Sequence, residues 1–201
     1  KEHTVKGYKS MTANNDLYDV ATSVKATEMA AWTATGIYVG TYNVGIEPGD
    51  FENTNPNFTN VEFVIVDGAL TITASEEEVT VTIAGGTDTT TYDGEKHSVD
   101  GYEIKGISNS LYKPEDFRLA EDASAHAEGT DANDYAMGLT SGSFENTNPN
   151  FSKVTFVVTD GKLTIDPRTV TLTSETAEKE YDGTPLTRPN VTGGEGFVTG
   201  E

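Results

Sequence analysis

Hydrophobic and polar residues alternate in short runs along this chain. The run Val61–Val66 carries Val, Phe and Ile at every second position, and the run Val154–Thr159 repeats the order with Val, Phe and Val. Alternation with a period of two is typical of a β-strand that buries one face and exposes the other. The pattern predicts an all-β fold.

An Asp-Gly pair follows each of these runs, as Asp67-Gly68 and as Asp160-Gly161. Both residues of such a pair tolerate positive φ, which tight β-hairpin turns require. We therefore predict that each run reverses at this pair and continues as an antiparallel return strand. The return strands are Ala69–Ile72 and Lys162–Ile165.

Shorter alternating runs predict four further strands, and two other stretches leave a choice between strand and helix. The strands are Tyr38–Ile46, Ser98–Ile104, Phe117–Ala120 and Tyr135–Leu139. The equivalent stretches Leu17–Thr33 and Pro114–Ala127 could each hold a helical turn, and Pro114 suits the first position of such a turn. An irregular arrangement of strands and loops is the favoured interpretation of both stretches.

The chain also repeats itself. The eight residues FENTNPNF occur at Phe51–Phe58 and again at Phe144–Phe151. The flanking residues match at an offset of 94 (His3 to His97), which becomes 93 (Val61 to Val154) after a one-residue deletion. A self-match at a fixed period indicates one domain copied in tandem.

The repeat predicts two domains and part of a third. We place the first unit at residues 1–75, the second at 78–166 and the opening of a third at 169–201. The tripeptide Tyr-Asp-Gly occurs at 92–94 and 181–183, and the first unit lacks its leading YDG strand. A frame that runs from one YDG to the next, 1–91 and 92–183, is the alternative.

Charge and composition narrow the range of partners. The 201 residues include 33 acidic and 13 basic side chains, for a formal net charge of −20 at pH 7. No basic stripe is present to neutralise phosphates, so we expect no binding to nucleic acid or to anionic membrane surfaces. No apolar stretch approaches the ~18 residues of a membrane span, so we expect no membrane insertion. The absence of cysteine excludes disulfides and thiolate chemistry.

The FENTNPNF element has no hydrophobic periodicity. Its asparagines can cap their own backbone and its proline fixes φ, so a rigid loop anchored by two phenylalanines is the favoured interpretation. A ligand-binding loop is the alternative. The candidate ligand-contact residues are then Phe51, Asn53, Asn55, Asn57, Phe58, Phe144, Asn146, Asn148, Asn150 and Phe151.

No catalytic or cofactor-binding residues are predicted. The histidines His3, His97 and His126 have no neighbouring histidine, and we interpret them as surface residues. The acidic residues form no EF-hand loop or nonapeptide calcium repeat. The acidic segments closest to a calcium site are Glu47–Asp50 and Asp131–Asp134; calcium binding is the alternative there, and solvated loops are the favoured interpretation.

The order of these motifs resembles the mother-of-bacterial-giants (MBG) adhesin repeats and the related YDG repeats. The resemblance rests on the YDG tripeptide, on Gly40-Thr41-Tyr42 and its copy at Asp134-Tyr135, on the two Asn-rich elements, and on the closing runs of each unit. It covers most of residues 1–166, and Arg168–Glu201 is similar to the opening of another copy. The resemblance implies a β-sandwich-like module that is exported and acts as a stalk or an adhesin.

The predicted fold is thus a tandem array of Ig-like β-sandwich modules, with α+β β-grasp-like modules containing one short helix as the alternative. The predicted function is a non-enzymatic structural or adhesive repeat region, which acts as a stalk or spacer. We expect a secreted protein of the bacterial cell surface, attached to the cell wall through regions outside this chain. A ligand-binding adhesin module for a host glycan or an extracellular-matrix protein is the alternative.

The repeat frame also predicts self-association. The first unit lacks its leading strand, whereas Val170–Thr173 resembles a spare copy of one. An unpaired strand edge can pair with a strand of a neighbouring molecule. We therefore expect head-to-tail association through the ends of the chain.

Overall fold

The computed structural model describes residues 1–27, 31–187 and 191–199. Strands dominate this part of the chain, and its longest helix is the single turn α1 (Val20–Ser23). The prediction of an all-β fold is confirmed. The other helical segments within the described ranges are 3₁₀ turns at Pro48–Asp50, Pro114–Asp116 and Ser141–Ser143.

The chain divides into two compact units. Unit 1 comprises Lys1–Glu77 and Pro149–Ser152, and unit 2 comprises Glu78–Asn148 and Lys153–Glu201. Residues 169–201, which the repeat predicts as the opening of a third unit, group with unit 2.

The described residues of unit 1 form six short strands. They are β1 (His3–Lys6), β2 (Val24–Ala26), β3 (Thr33–Gly36), β4 (Gly40–Asn43), β5 (Phe51–Asn53) and β6 (Ala69–Ile72). β1 pairs with β3, β2 with β5 and β4 with β6, each in an antiparallel ladder. Two-stranded ladders are marginal by themselves, so the side chains packed between them must hold the unit together.

Unit 2 repeats these ladders and adds longer strands. Its strands are β7 (Val79–Gly85), β8 (Thr87–Thr91), β9 (His97–Asp100), β10 (Tyr102–Ile107), β11 (Phe117–Leu119), β12 (His126–Gly129), β13 (Asp134–Ala136), β14 (Phe144–Asn146), β15 (Val154–Thr159), β16 (Lys162–Asp166), β17 (Thr171–Ser174) and β18 (Val191–Glu195). β9 pairs with β12, β11 with β14 and β13 with β16. The registers correspond, since His3 faces Gly36 in unit 1 and His97 faces Gly129 in unit 2.

The one-residue deletion lies in the turn before β2 and β11. Residues 19–23 connect Tyr18 to β2, whereas only residues 113–116 connect Tyr112 to β11. The longer connection forms α1, where the Asp19 side chain accepts a hydrogen bond from Ala21 N at 3.0 Å. The shorter connection forms a 3₁₀ turn that begins at Pro114, so the deletion tightens one helical turn and leaves the strands in place.

Two three-stranded sheets in unit 2 depend on the segment β7–β8. β7 lies between β10, which is antiparallel to it, and β15, which is parallel. β16 likewise lies between the antiparallel β13 and the parallel β8. Val79, Val81 and Ile83 of β7 are 0% exposed, which makes this strand the centre of the core.

The predicted Asp-Gly hairpins are wrong in both units. β15 and β16 do not pair with each other; they follow one another along β7 and β8 in one register, from Val79 opposite Val154 to Thr91 opposite Asp166. Neither Asp-Gly pair adopts the positive φ that a tight hairpin needs. A long parallel partner is available in unit 2, and its ladder outweighs the local turn preference.

The aspartates of these pairs act as clamps on another loop. The Asp67 carboxylate accepts hydrogen bonds from Gly45 N (2.9 Å) and Ile46 N (3.1 Å), and Asp160 accepts the equivalent pair at 3.1 and 2.7 Å. β4 and β13 therefore end before the predicted residues, because backbone amides just beyond them donate to an aspartate carboxylate and not to a neighbouring strand. They also lower the pKa of Asp67, so its clamp is present at neutral pH and is lost as pH falls through that lowered pKa.

Residues 61–66 of unit 1 are not a strand, although the same prediction is correct for β15. Their alternation persists: Val61, Phe63 and Ile65 are half-buried, whereas Val64 and Val66 are exposed. Their backbone forms no hydrogen bond with any residue in the described ranges. β15 gains its ladder from β7, and no described residue supplies unit 1 with a counterpart of β7.

The predicted strand Ser98–Ile104 is divided into β9 and β10 by Gly101. This glycine has φ +82°, a conformation that interrupts an extended strand. β9 therefore pairs with β12 while β10 pairs with β7, so the two halves join different sheets.

Each unit has its own aromatic core. In unit 1, Phe51 packs on Phe63 with a centroid distance of 5.6 Å and an interplanar angle of 34°. In unit 2, Phe144 packs on Phe156 at 5.8 Å and 33°. The duplicated pair keeps its geometry, which indicates that both units are built around the same contact.

A contact between a glycine and a tyrosine ring gives a first prediction. A Cβ built on Gly129 would lie 2.2 Å from the ring of Tyr135, and Gly36 meets Tyr42 in the same way at 2.4 Å. We predict that Gly129→Ala displaces the ring and destabilises unit 2 by about 1–3 kcal/mol.

The matched control is Gly106→Ala, because no atom lies within 4 Å of a Cβ built on this glycine. Its free energy of unfolding should stay within about 0.5 kcal/mol of the parent value. Urea denaturation measures both variants, and equal stability of the two would contradict the ring contact.

Candidate functional site

The FENTNPNF element of unit 1 starts in β5 and continues as a loop organised by Asn53. The side-chain amide of Asn53 donates to the carbonyl oxygens of Asn55 (3.2 Å) and Phe58 (2.7 Å). Its Oδ1 accepts hydrogen bonds from Asn55 N (3.0 Å) and from the Tyr18 hydroxyl (2.8 Å). Both donors and both acceptor positions of this side chain are therefore used within unit 1.

Asn55 ties the same loop to the end of α1. Its side-chain amide donates to Ser23 Oγ at 3.0 Å, and its Oδ1 accepts a hydrogen bond from Asn57 N at 3.0 Å. The Asn57 side chain is exposed and forms no hydrogen bond with a described residue. The asparagines thus cap their own backbone as predicted, and Asn57 is the one directed to solvent.

The copy in unit 2 repeats the arrangement around Asn146. The Tyr112 hydroxyl donates to Asn146 Oδ1 at 2.9 Å, which also accepts a hydrogen bond from Asn148 N at 3.0 Å. The Asn146 side-chain amide donates to the Asn148 carbonyl oxygen at 3.2 Å. Tyr112 is 1% exposed, and its burial, with the nearby charge of Asp116, raises the pKa of its phenol to about 12.

The phenylalanines of the two elements act as anchors. Phe51 and Phe144 are buried in the aromatic cores, and Phe58 is half-buried against the edge of Tyr18, at a centroid distance of 5.0 Å. Phe151 is also buried and bridges to Ser75 within unit 1.

Asn150 completes the set of candidate contact residues. Its Oδ1 accepts a hydrogen bond from Val39 N at 2.8 Å, again within unit 1. The exposed residues of the first element are Glu52, Thr54, Pro56 and Asn57, so these form the outer surface of the loop.

A charged network that the sequence analysis missed lies on β9 and β12. His126 Nδ1 is 2.6 Å from Asp100 Oδ1, and His126 Nε2 is 3.0 Å from Glu128 Oε2. Lys96 Nζ is 2.8 Å from Glu128 Oε1. His126 faces Asp100 across the ladder, so only the β9–β12 register reveals the pair, and the sequence does not provide that register.

This network changes the ionisation of its members. The hydrogen bond to Glu128, followed by the one to Asp100, raises the pKa of His126. Lys96, followed by His126, lowers the pKa of Glu128. The side chains are exposed to solvent, so the network holds charges in place along a strand pair and contributes little to stability.

A cavity of about 420 Å³ lies beside the Gly85-Gly86 step of unit 2. Three carboxylates line it, and each already has a partner: Asp100 contacts His126, Glu103 pairs with Lys105, and Asp160 clamps its loop. An acid and a base must converge on one reacting atom for general acid–base catalysis. These carboxylates instead bind neighbouring groups of the fold.

The segments considered for calcium use their acids in the same way. Asp50 Oδ2 accepts hydrogen bonds from Trp32 Nε1 (3.0 Å) and Glu47 N (2.8 Å). Asp134 accepts one from the Thr164 hydroxyl (2.7 Å) and pairs with Lys162 (3.1 Å). Within the described ranges, no group of three or more His, Asp or Glu side chains is arranged to hold a metal ion.

No helix among the residues described here is long and apolar enough to cross a membrane.

Comparisons with known proteins give no match for this chain among protein-family models, curated proteins or solved structures. The functional proposal therefore depends on the residues of the chain itself.

The contrast between Asn53 and Asn57 gives a second prediction. Asn53→Ala removes the partner of the Tyr18 hydroxyl and of two loop carbonyls, so we expect a loss of about 1–3 kcal/mol in the free energy of unfolding. Asn57→Ala should change it by less than about 0.5 kcal/mol, because its side chain projects into solvent.

Thermal unfolding followed by fluorescence of Trp32, the single tryptophan and a core residue of unit 1, measures this difference. Similar losses for the two variants would show that Asn53 does not organise the loop.

A third prediction concerns pH. Because the pKa of His126 is raised, its ion pairs stabilise the fold fully below the ordinary histidine pKa, and the contribution is lost as pH rises through the raised pKa. Glu128→Gln removes the largest cause, so the pKa of His126 should fall towards its ordinary value.

Titration of the imidazole resonances by NMR checks both statements. A His126 pKa at or below the ordinary value in the parent protein would overturn them.

Proposed function

We propose that this chain is a non-enzymatic structural repeat region of a bacterial cell-surface protein, in which the units act as a stalk or spacer. The observation that carries the proposal is that the most strongly repeated residues form hydrogen bonds within their own unit. The tyrosine-to-asparagine hydrogen bond occurs at 2.8 Å between Tyr18 and Asn53 and at 2.9 Å between Tyr112 and Asn146. The repeated element is thus part of the framework of each unit, and its duplication preserves the same local structure in both units.

Surface charge supports a stalk. A net charge of −20 gives neighbouring units and neighbouring chains a repulsive surface, which opposes collapse and aggregation at high local density. The resemblance to MBG and YDG repeats supports an exported protein that is anchored in the cell wall through regions outside this chain.

We further propose that each unit is an Ig-like β-sandwich. The support is a tyrosine whose hydroxyl donates to a backbone carbonyl four residues upstream, from Tyr42 to Tyr38 and from Tyr135 to Asp131, both at 3.0 Å. A tyrosine corner of this kind is a recurring feature of Ig-like sandwiches.

A ligand-binding adhesin module is the second candidate. Exposure of Thr54, Pro56 and Asn57 in the loop after β5 favours it, because exposed side chains on a loop are available to a host glycan or matrix protein.

A binding screen separates the two functions and gives a fourth prediction. Residues 1–201 are presented to mucins, extracellular-matrix proteins and a glycan array. A stalk should show no saturable binding while both units remain folded.

The control is the double variant Pro56→Ala/Asn57→Ala, which changes the loop surface and leaves Asn53 in place. Saturable binding by the parent chain that the double variant loses, with its unfolding curve unchanged, would replace the stalk with the adhesin.

A further inference from the structure

The segment Pro149–Ser152, which we call the strap, groups with unit 1, whereas the residues on both sides of it group with unit 2. On the N-terminal side of the strap, Thr147 N donates to the carbonyl oxygen of Asp116 at 2.8 Å. On its C-terminal side, the carbonyl oxygen of Lys153 accepts a hydrogen bond from Val79 N at 2.9 Å. Unit 2 therefore fixes both ends of a segment that belongs to unit 1.

The backbone of the strap pairs with Ser75 of unit 1. Ser75 N donates to the carbonyl oxygen of Asn150 at 2.8 Å, and the Ser75 carbonyl oxygen accepts a hydrogen bond from Ser152 N at 3.1 Å. Ser75 and Phe151 form a parallel β-bridge, and Phe151 is buried. The Ser152 hydroxyl also donates to the Ser75 carbonyl oxygen, at 2.8 Å. The strap thus satisfies both backbone polar groups of Ser75.

The side chain of Asn150 adds a contact that depends on residue type. Its Oδ1 accepts a hydrogen bond from Val39 N at 2.8 Å, in the connection between β3 and β4. Val39 and Asn150 are both half-buried, and an amide removed from water costs stability when it loses its acceptor. An alanine at position 150 has no side-chain acceptor to offer. The surface formed by Val39 and Ser75, which we call the strap site, therefore favours an asparagine two residues before a hydroxyl side chain.

The first copy of the repeated element contains the same kind of segment without these contacts. Residues 57–59 (Asn-Phe-Thr) correspond to residues 150–152 (Asn-Phe-Ser) at the offset of 93. The side chains of Asn57 and Thr59 are exposed and form no hydrogen bond with a described residue. The two copies thus provide a matched pair, in which the residue types agree and the contacts differ.

We propose that the strap site of unit 1 is a recognition site for the strap, and that its occupation makes the folding of unit 1 depend on the folding of unit 2. The partner is a named segment of the same chain, recognised by its asparagine and its hydroxyl. The stalk function requires no such dependence, so failure of this proposal leaves that function standing.

Unit 2 controls the contact through the two ends of the strap. When unit 2 is folded, both ends are held, and placing four residues in the strap site costs little further conformational entropy. When unit 2 is unfolded, the same residues belong to a flexible chain, and their effective concentration at the strap site falls. Unit 1 then loses the hydrogen bonds at Val39 and Ser75 and should unfold more readily.

Urea unfolding of the full chain, followed by Trp32 fluorescence, is the test and the fifth prediction, since Trp32 is the single tryptophan and lies in the core of unit 1. Asn150→Ala/Ser152→Ala removes two hydrogen bonds at the strap site, so the equilibrium constant for unfolding of unit 1 should rise at least about tenfold. The matched control is Asn57→Ala/Thr59→Ala, the equivalent substitutions at exposed positions, which should change it less than about twofold.

A second comparison tests the dependence on unit 2. Leu163 is 0% exposed, so Leu163→Asp buries an unpaired charge and should unfold unit 2, which hydrogen exchange of the β15 and β16 amides verifies. In the parent chain this substitution should raise the unfolding constant of unit 1 at least about tenfold, the loss expected for the strap contacts. In the chain that already carries Asn150→Ala/Ser152→Ala, it should add less than about twofold, because the strap is no longer bound.

Equal effects of the two double variants on the Trp32 transition overturn the recognition site. A Trp32 transition that Leu163→Asp leaves unchanged, while β15 and β16 exchange freely, overturns the dependence on unit 2. An effect of Leu163→Asp that persists without Asn150 and Ser152 also overturns it, because the strap would then not transmit the effect.

Discussion

The parallel pairing of β7 with β15 is the interaction on which the rest of the structure depends. The two units contain nearly the same run of alternating residues, and within the described ranges the run in unit 2 has this partner while the run in unit 1 forms no ladder. With β7 beside it, the run in unit 2 becomes a regular strand and Phe156 is buried. The run in unit 1 forms no ladder with a described residue, and Phe63 is half-buried. An alternating sequence favours a β-strand, but a neighbouring strand must also be present to pair with it.

The bond between a buried tyrosine and the first asparagine of the repeated element is the second constraint. It joins the segment before β2 or β11 to the last residue of β5 or β14, so two distant parts of each unit are held at one point. The one-residue deletion falls between that tyrosine and the next strand. Because both ends of the turn are fixed, the missing residue changes only the type of helical turn, from α to 3₁₀.

Local patterns in the sequence predicted much of the fold and part of the candidate site. The strands β11, β15 and β16 and the capping asparagines all follow from side-chain chemistry within a few residues. The Asp-Gly hairpins failed because Asp67 and Asp160 bind amides more than twenty positions away in the chain. The His126 network could not be predicted from the sequence for a related reason, since Asp100 lies opposite His126 only in the register of the folded ladder. In each failure, a contact between distant segments prevailed over a local preference.

The direction of the β7–β8 and β15–β16 ladders has a consequence for tension. The two segments run parallel in one register from Val79 opposite Val154 to Thr91 opposite Asp166. A pull on the chain before Val79 and after Asp166 drives them in opposite directions along their length. The ladder hydrogen bonds then bear the load together in shear, rather than opening one by one as the strands peel apart. The order of the strands in the sequence thus aligns the pulling direction with the direction in which this sheet is hardest to break.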